Sequence, residues 1–508
     1  MATTRRGAIA SIAAAAASPI WARPAGFSPP TCQSYSSTDQ LTIDVHCHLM
    51  NIRDIDRSAF VKRRVLELDE ESSAADPIKQ ALALLLSFGA GSAYTTSHGM
   101  AAENRFIYER LSEWIAAPEE FCRNDYRSNG MVHGVKYEYD DKSRNPIGGF
   151  QNGRLANAVR LMQEFPSVDL FTPSMVDFYE GNEDMYSESS TMSVLYERIS
   201  QATFGRLLPF ISFNPQRAVD TRKRPPDTTP LGLVRKSIAD RNFVGVKLHP
   251  SVGFSPINNE HTACPNNARQ RAPSVANYRT AYGKRLDEVL WELFEYCADN
   301  DVPILTHGGP GIPAYGGCMK PADRAPGDWL NAPAQWVRVM DELKRRNPEK
   351  PLRLCYGHFA GAFSQSEFWR PWFDVLHGAM SEHPTLYADI SIQTGLVYGE
   401  PGKQAKLRET FTKLFEDSTI LQNQTLYGTD WHMPEMASLG GKYLTVMQAL
   451  IPADVRRRVM GLNAVEFLGL KNGRGNRTRI DIYSAWLKSK ARIPEGYAPA
   501  WMKKVDAL

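Results

Sequence analysis

The sequence lacks long hydrophobic runs, long blocks of charge of one sign and internal repeats. Its 59 Lys and Arg residues nearly balance 56 Asp and Glu residues, for a formal net charge of +3. This balance gives no indication of binding to nucleic acid or to a membrane surface. No stretch is long and apolar enough for a transmembrane helix in the mature chain. With 43% hydrophobic and 23% charged residues, the composition is that of a globular protein.

Cysteine is also sparse, with seven residues in 508 and no Cys-x-x-Cys pair. An odd number in a chain of this size excludes a disulfide scaffold. In an oxidising compartment, Cys264 and Cys318 are the best disulfide candidates, because both fall in predicted loops. Cys47, Cys297 and Cys355 lie in apolar segments, which predicts small core residues.

The N-terminus contains no acidic residue before Asp39. Arg5 and Arg6 precede an Ala-rich apolar stretch that ends near Ala22, which predicts a twin-arginine-type export signal cleaved there. Residues 23–40 would be a linker, and the mature protein would be periplasmic. An organellar transit peptide, which is also rich in Arg and poor in acids, is the alternative.

Short apolar runs alternate with helical patterns along the rest of the chain. The clearest helix covers 283–300, where Leu286, Val289 and Leu290 follow the i, i+3, i+4 spacing. Eight runs bounded by Gly, Pro, Asn or Asp predict strands; they begin at Leu41, Val168, Arg206, Phe243, Val302, Leu352, Thr385 and Thr425. This α/β alternation predicts a (β/α)8, TIM-like barrel over 41–470, with a doubly wound open sheet as the alternative.

The predicted barrel is larger than usual because of one large insertion. Residues 49–150 separate the first strand from its helix and would form a cap over the C-terminal mouth of the barrel, where βα loops build active sites. A second long loop covers 250–282. Residues 471–508 form a basic C-terminal tail.

Polar side chains recur where the predicted strands end. In the stretch IDVHCHLMN, His46 and His48 are two residues apart on a strand, so both face the same side. Further polar residues follow later strands: Lys247, His249, His307, His358 and Asp430. In a parallel barrel all of these ends lie at the same face. The pattern therefore predicts one polar cluster at the mouth.

The ordered motifs resemble those of a known family. The succession HxH, GVKLHP, ILTHGG, YGHFAG, YADIS, YGTDW and NAVEFLGL is similar to the amidohydrolase superfamily, in its amidohydrolase-related branch that includes aminocarboxymuconate semialdehyde decarboxylase. The resemblance covers about 41–48 and 166–470. It does not cover the 49–150 insertion, the 250–282 loop or the tail.

This resemblance implies a role for each matching residue. His46, His48, His307 and Asp430 match the metal ligands. Asp430 also matches the carboxylate that handles the proton of a metal-bound water, and His358 matches the histidine that polarises the substrate or positions the water. The catalytic candidates are therefore Asp430 and His358.

The chemistry of these residue types agrees with that implication. Three imidazoles and one carboxylate suit Zn²⁺, with Mn²⁺ or Fe²⁺ as less typical occupants. A metal-bound water at this site would attack an amide, lactone or ester. Lys247 leaves two arrangements open, because binuclear members of the superfamily carry a carboxylated lysine there. We favour one metal per chain.

Two other functions remain open at the sequence level. A metal-dependent decarboxylase of an unsaturated or aromatic acid would use the same ligands, but needs a cationic clamp for the carboxylate. No Arg lies at a predicted strand end, although Arg53, Arg57 and Arg324 lie in loops. A non-enzymatic binding protein is the third reading. The expected partner is a small-molecule substrate, and homo-oligomerisation is left open.

Overall fold

The structure is a computed structural model of the chain. The described residues are 40–49, 103, 105, 107, 130–132, 135–137, 154–177, 189–203, 205–221, 225–262, 276–309, 330–363, 369–397, 401–431, 441–471, 479–486 and 499–508. The predicted export signal lies outside these residues, as do most of the predicted cap, Cys264 and Cys318.

The eight predicted strands are all present in the described segments. We label them in barrel order: β1 Ile43–Cys47, β2 Leu170–Pro173, β3 Phe210–Ser212, β4 Gly245–Leu248, β5 Ile304–Thr306, β6 Leu354–Tyr356, β7 Leu386–Asp389 and β8 Thr425–Leu426. Strands β3 to β8 form a continuous parallel sheet, and β1 pairs in parallel with β2. A separate antiparallel hairpin joins Gly130–Val132 to Val135–Tyr137.

Backbone hydrogen bonds join these two sheets into a ring. On one side, Leu208 N donates to Phe171 O at 3.0 Å, which links β2 to the chain entering β3. On the other side, Val45 N donates to Tyr427 O at 3.0 Å, which links β1 to the end of β8. The strands therefore form the predicted (β/α)8 barrel, and the open-sheet alternative is excluded.

Each barrel strand is followed by at least one helix. The helices are α1 Arg154–Glu164, α2 Ser189–Ala202, α3 Pro215–Thr221, α4 Pro230–Asp240, α5 Asn259–Thr262, α6 Ala276–Asp299, α7 Pro333–Arg346, α8 Trp369–Glu382, α9 Pro401–Asp417, α10 Thr419–Gln424, α11 Lys442–Leu450, α12 Ala453–Arg457, α13 Asn463–Leu468, α14 Arg479–Trp486 and α15 Ala500–Asp506. A π-helical turn, Arg458–Leu462, joins α12 to α13.

Local sequence explains where several helices begin and end. Helix α7 starts with Pro333, whose fixed φ suits the first helical position and whose missing N–H costs nothing there. It ends with three basic residues, which face the negative end of the helix dipole. Helix α4 is capped by Thr229, whose hydroxyl accepts a hydrogen bond from Gly232 N.

The C-terminal tail packs against the N-terminal end of the barrel. In α15, Trp501 is fully buried and its Nε1 donates to Gly205 O at 2.9 Å, just before β3. Lys504 Nζ lies 2.9 Å from an oxygen of Asp169, just before β2. Both contacts precede strands, so the tail covers the barrel end opposite the candidate site.

The buried cysteines agree with their predicted role. Cys47, Cys297 and Cys355 are free thiols in the core. Burial raises the pKa of both the Cys47 and the Cys355 thiols well above its usual value, so these side chains stay protonated. Among the described helices, we find none with the length and apolar character needed to cross a bilayer.

Candidate metal centre

Two strands at opposite ends of the sequence bring three predicted ligands together. His48 Nε2 lies 3.1 Å and His46 Nε2 lies 3.6 Å from Oδ1 of Asp430, which follows β8. All three side chains are buried, and their ligand atoms are close enough to share one metal ion. The i, i+2 spacing on β1 is what turns both rings to the same side.

The chain between β8 and Asp430 is held tightly against β1. Asp44 accepts hydrogen bonds from Thr429 N at 3.1 Å and Thr429 Oγ1 at 2.6 Å. Asp430 N donates to His46 O at 2.6 Å, with Asp430 in the left-handed region at φ 56°. A Cβ on Gly428 would lie 2.8 Å from His46 Cβ, so only glycine permits this approach. These contacts fix the Asp430 carboxylate opposite the two imidazoles.

His46, in β1, and His48, just after it, each have the second ring nitrogen next to an acceptor. His48 Nδ1 lies 3.1 Å from the carbonyl oxygen of Ser174, and His46 Nδ1 lies 2.9 Å from Asp389 Oδ2. Both acceptors require a proton on Nδ1. A neutral ring with its proton on Nδ1 keeps its lone pair on Nε2, the atom that would bind a metal.

His307 lies beside this group and not within it. Its ligand atoms belong to neither of the candidate metal-binding groups found in the described residues. His307 Nδ1 lies 3.1 Å from His358 Nε2, and its ring stacks on His249 with centroids 4.3 Å apart. His307 Nε2 is buried, and no described residue forms a hydrogen bond with it. The structure thus places His307 at the mouth, where the His358 ring contacts both His307 and His46.

His358 occupies a strained turn at the end of β6. His358, Phe359 and Ala360 have φ values of 58°, 50° and 56°, so three successive non-glycine residues are left-handed. This conformation costs about 1–2 kcal/mol per residue and persists only where surrounding contacts enforce it. The His358 ring lies 4.7 Å from the His46 ring, and its Nδ1 is 2.9 Å from Ser391 Oγ.

Lys247 points into the same cluster from β4. Its side chain is buried, and Nζ lies 2.8 Å from His46 Nε2. Burial lowers the pKa of Lys247 to about 8. A proportion of neutral amine is therefore accessible near neutral pH, which is the form that reacts with CO2.

Burial lowers the pKa of three imidazoles of the cluster, and neighbouring histidines lower the pKa of Asp430. Burial, with the charge of Lys247 second, lowers the pKa of His46 to about 4. Burial also lowers the pKa of His307 and His358. For Asp430, burial acts to raise the pKa, but attraction to His358 and contacts with the other histidines outweigh it and lower the pKa. These protonation states are the ones that bind a cation.

Sequence reasoning missed two residues of the cluster. Asp389 ends β7 and Ser391 follows two residues later; both are fully buried. Asp389 belongs to a second group that could hold a metal, with His46 and His358. The signal was available, because Asp389 ends its strand in the stretch YADIS just as the histidines end theirs.

Neighbouring residues have less direct relations to the centre. Trp431 is fully buried in the main core, and its Nε1 donates to Glu164 Oε2 at 2.8 Å. Arg217 follows β3, and its guanidinium pairs with both oxygens of Asp177 at 2.7 and 2.8 Å. Arg53, Arg57 and Arg324 lie outside the described residues.

The residues present fit a divalent metal. The Nε2 atoms of His46 and His48 and a carboxylate oxygen of Asp430 converge, and His307 Nε2 is a buried nitrogen without a partner among the described residues. A buried polar atom without a partner is costly, so it points to a missing cation or donor. Imidazole nitrogens with one carboxylate are typical ligands of zinc and of similar transition metals.

Comparison with known proteins identifies the family. Residues 193–470, more than half of the chain, match the family profile described as Amidohydrolase. No curated protein matches the chain significantly.

Solved structures with a similar arrangement have low identity. They include 4-oxalomesaconate hydratase from Rhodopseudomonas palustris, at 13% identity over 89% of this chain and 99% of that one, with a TM-score of 0.39. Another is 5-carboxyvanillate decarboxylase from Novosphingobium aromaticivorans, complexed with manganese, at 11% identity over 88% and 99% with a TM-score of 0.38. The Sphingomonas paucimobilis 5-carboxyvanillate decarboxylase has 14% identity over 62% and 82%, with a TM-score of 0.34. Likeness at this level assigns no substrate to the chain.

Proposed function

Because the chain belongs to the amidohydrolase family, we propose that it is a metal-dependent hydrolase that cleaves an amide, lactone or ester. The observation that carries this proposal is the convergence of His46 Nε2 and His48 Nε2 on Asp430 Oδ1, at 3.6 and 3.1 Å in a buried site. A carboxylate beside two imidazoles is suited to hold a cation and to accept a proton.

The proposed ligands are His46, His48, His307 and Asp430, and the proposed occupant is one Zn²⁺. Such an ion supplies a Lewis acid that polarises a carbonyl group and acidifies water. His307 is included because its Nε2 is buried and has no partner among the described residues. Lys247 Nζ lies 2.8 Å from His46 Nε2, and a metal bound at that atom would replace this contact.

Asp430 and His358 act on the attacking water in this proposal. Asp430 receives the proton of that water at Oδ2, the oxygen that is not directed at His46 and His48. His358 Nε2, which carries a lone pair, accepts a hydrogen bond from the same water and orients it, in exchange for its present contact with His307. The surrounding burial excludes bulk water and strengthens both interactions.

The metal content of the purified protein tests the ligand set. We expect about one equivalent of Zn²⁺ per chain, from the count of four ligands. Two equivalents, together with a carboxylated Lys247 detected by mass spectrometry or crystallography, would establish a binuclear centre instead.

Decarboxylation is the competing reaction, and one contact disfavours it. A carboxylate substrate needs a free cationic clamp, most often Arg. Arg217 follows β3 at the mouth, but Asp177 engages its guanidinium through two hydrogen bonds. In the part of the chain that is described, this pairing weighs against a role for Arg217 in holding a substrate carboxylate.

A substrate panel separates the two reactions. The apoenzyme is reloaded with Zn²⁺ or Mn²⁺ and assayed against lactones, esters and amides by acid release, and against aromatic and unsaturated acids by CO2 release. We expect acid release that disappears in Asp430→Asn. Metal-dependent CO2 release without hydrolysis would establish the decarboxylase.

A further inference from the structure

Asp389 is the acceptor at the centre of the hydrogen bonds behind the candidate metal ligands. Its Oδ2 faces His46 Nδ1 at 2.9 Å, and Cys355 Sγ donates to the same oxygen at 3.6 Å. Its Oδ1 accepts from the backbone N–H groups of His358 at 3.1 Å and Ser391 at 3.0 Å, and from the Ser391 hydroxyl. Donors of the chain therefore surround both oxygens, which leaves this carboxylate poorly placed to bind a metal itself.

Counting protons along these contacts assigns the tautomer of three histidines. An ionised carboxylate only accepts, so His46 carries its proton on Nδ1. Ser391 has one hydroxyl proton, which it gives to Asp389 Oδ1, so Ser391 Oγ accepts from His358 Nδ1 at 2.9 Å. His358 Nε2 is then an acceptor, and His307 Nδ1 must donate to it across 3.1 Å.

The outcome is the same protonation in each ring. His46, His358 and His307 all carry hydrogen on Nδ1 and a lone pair on Nε2. For His307 that lone pair is on the buried Nε2, which has no partner in the described part of the chain. For His46 it accepts the hydrogen bond from Lys247 Nζ at 2.8 Å.

We propose that Asp389, acting with Ser391, is the positioning residue that fixes the tautomers of His46, His358 and His307, so that His46 and His307 present lone pairs to the metal. The proposal rests on the proposed function only in taking His46 and His307 as ligands. Carboxylates bonded to ligand histidines in this way raise ligand basicity and hold the ring, and their loss typically costs about 10–100-fold in metal affinity.

The Asp389→Asn variant reverses the proton on His46. The two backbone N–H donors at Oδ1 require the amide oxygen there, so the amide NH2 replaces Oδ2 and donates toward His46 Nδ1. His46 then carries hydrogen on Nε2, where a metal ligand needs a lone pair. We expect the metal affinity of the full-length apoprotein, measured by chelator competition, to fall about 10–100-fold.

Asp169→Asn is the matched control. Asp169 is also a buried carboxylate, but it lies just before β2 and pairs with Lys504 at the opposite end of the barrel. The metal affinity of Asp169→Asn should stay within about twofold of that of the unmodified protein, because a substitution so far from the proposed ligands leaves their geometry intact. Circular dichroism identifies the variants that remain folded.

A measurement on the unmodified apoprotein tests the proposal without any variant of Asp389. Long-range ¹H–¹⁵N spectra of histidine-labelled protein distinguish protonated from unprotonated ring nitrogens, with signals assigned by single His→Asn variants. We expect Nδ1 to be protonated and Nε2 unprotonated in His46, His307 and His358. In folded Asp389→Asn, the pattern for His46 should be reversed, with Nε2 protonated and Nδ1 unprotonated.

Failure of this proposal and failure of the proposed function give different results. Protonated Nε2 in His46 of the apoprotein, or unchanged metal affinity in folded Asp389→Asn, overturns the role of Asp389 while leaving metal-dependent hydrolysis intact. Expected tautomers and expected loss of affinity in a protein that hydrolyses nothing support the role of Asp389 and overturn the proposed function.

Discussion

At the scale of single residues, the centre depends on which ring nitrogen each histidine leaves free. His46 and His48 are adjacent on one strand face, yet their Nδ1 atoms are bound by different acceptors, Asp389 and the Ser174 carbonyl. Both acceptors leave Nε2 directed at Asp430. If both rings bind the metal as proposed, removal of either one leaves the other proposed ligands unable to enclose it.

We therefore expect His46→Asn and His48→Asn to be purified without metal. His383→Asn is the control, because His383 is buried and paired with Asp341 at 2.9 Å immediately before β7, at the far end of the barrel. Atomic absorption on the purified proteins provides the measurement. Full metal content in either β1 variant would remove that residue from the ligand set.

His358→Asn should separate catalysis from metal binding. His358 is proposed to contact the reacting water and not the metal, so its loss should leave metal content near normal and reduce kcat by about 10²–10³, the usual cost of one acid–base contact. Asp430→Asn should lower both kcat and metal affinity. If His358→Asn loses metal as fully as His307→Asn does, His358 is a ligand, and Lys247 becomes the bridge of a binuclear centre.

At the scale of elements, the two ends of the barrel have separate tasks. Strand C-termini carry the histidines and carboxylates, and strained left-handed turns after β6 and β8 direct His358 and Asp430. The strand N-termini are covered by α14 and α15, whose Tyr483 and Trp501 pack together with ring centroids 5.3 Å apart. Contacts at this second end should therefore affect stability and not chemistry.

Trp501→Ala tests that separation. The side chain is fully buried and bonded to Gly205 O, so its loss should lower the free energy of unfolding by about 3–5 kcal/mol. Metal affinity of the folded protein should not change. Urea titration measures the free energy of unfolding. Leu508→Ala is the control: this residue is 41% exposed, so its loss should shift the free energy of unfolding by less than about 0.5 kcal/mol. Loss of metal from folded Trp501→Ala would show that the two ends are coupled.

At the scale of the whole molecule, the barrel collects residues that are distant in sequence. His46 and Asp389 are 343 positions apart, and Asp44 and Thr429 are 385 apart. Closure of the ring between β1 and β8 creates both contacts. The candidate centre therefore requires a folded barrel and cannot assemble on any fragment that lacks either strand.

Export is also a property of the whole molecule, and we propose it from the N-terminal sequence. Replacing Arg5 and Arg6 with Lys should leave the precursor in the cytoplasm of a bacterial host, because the twin-arginine machinery reads that pair. Cell fractionation and immunoblotting measure the distribution. A lysine variant that still reaches the periplasm would contradict the assignment.

The sequence alone determined the strands, their order and most of the cluster. Alternation of apolar runs with helical patterns is local, and the i, i+2 spacing of His46 and His48 sets their common face without any tertiary contact. Once the strands are parallel in a barrel, their C-terminal residues must share one face. That rule places His307, His358 and Asp430 at the C-terminal face of the barrel, and the same rule applied to Asp389 would have placed it there too.

Only the tertiary structure decided which of these residues act on one another. Whether Asp389 reaches His46, whether Arg217 is free, and where the tail docks all depend on side chains from separate strands and loops. Strand periodicity assigns a face to each residue, but it carries no information about which side chains meet across the barrel. Those side-chain contacts are determined by closure of the barrel and by packing, which local sequence patterns do not encode.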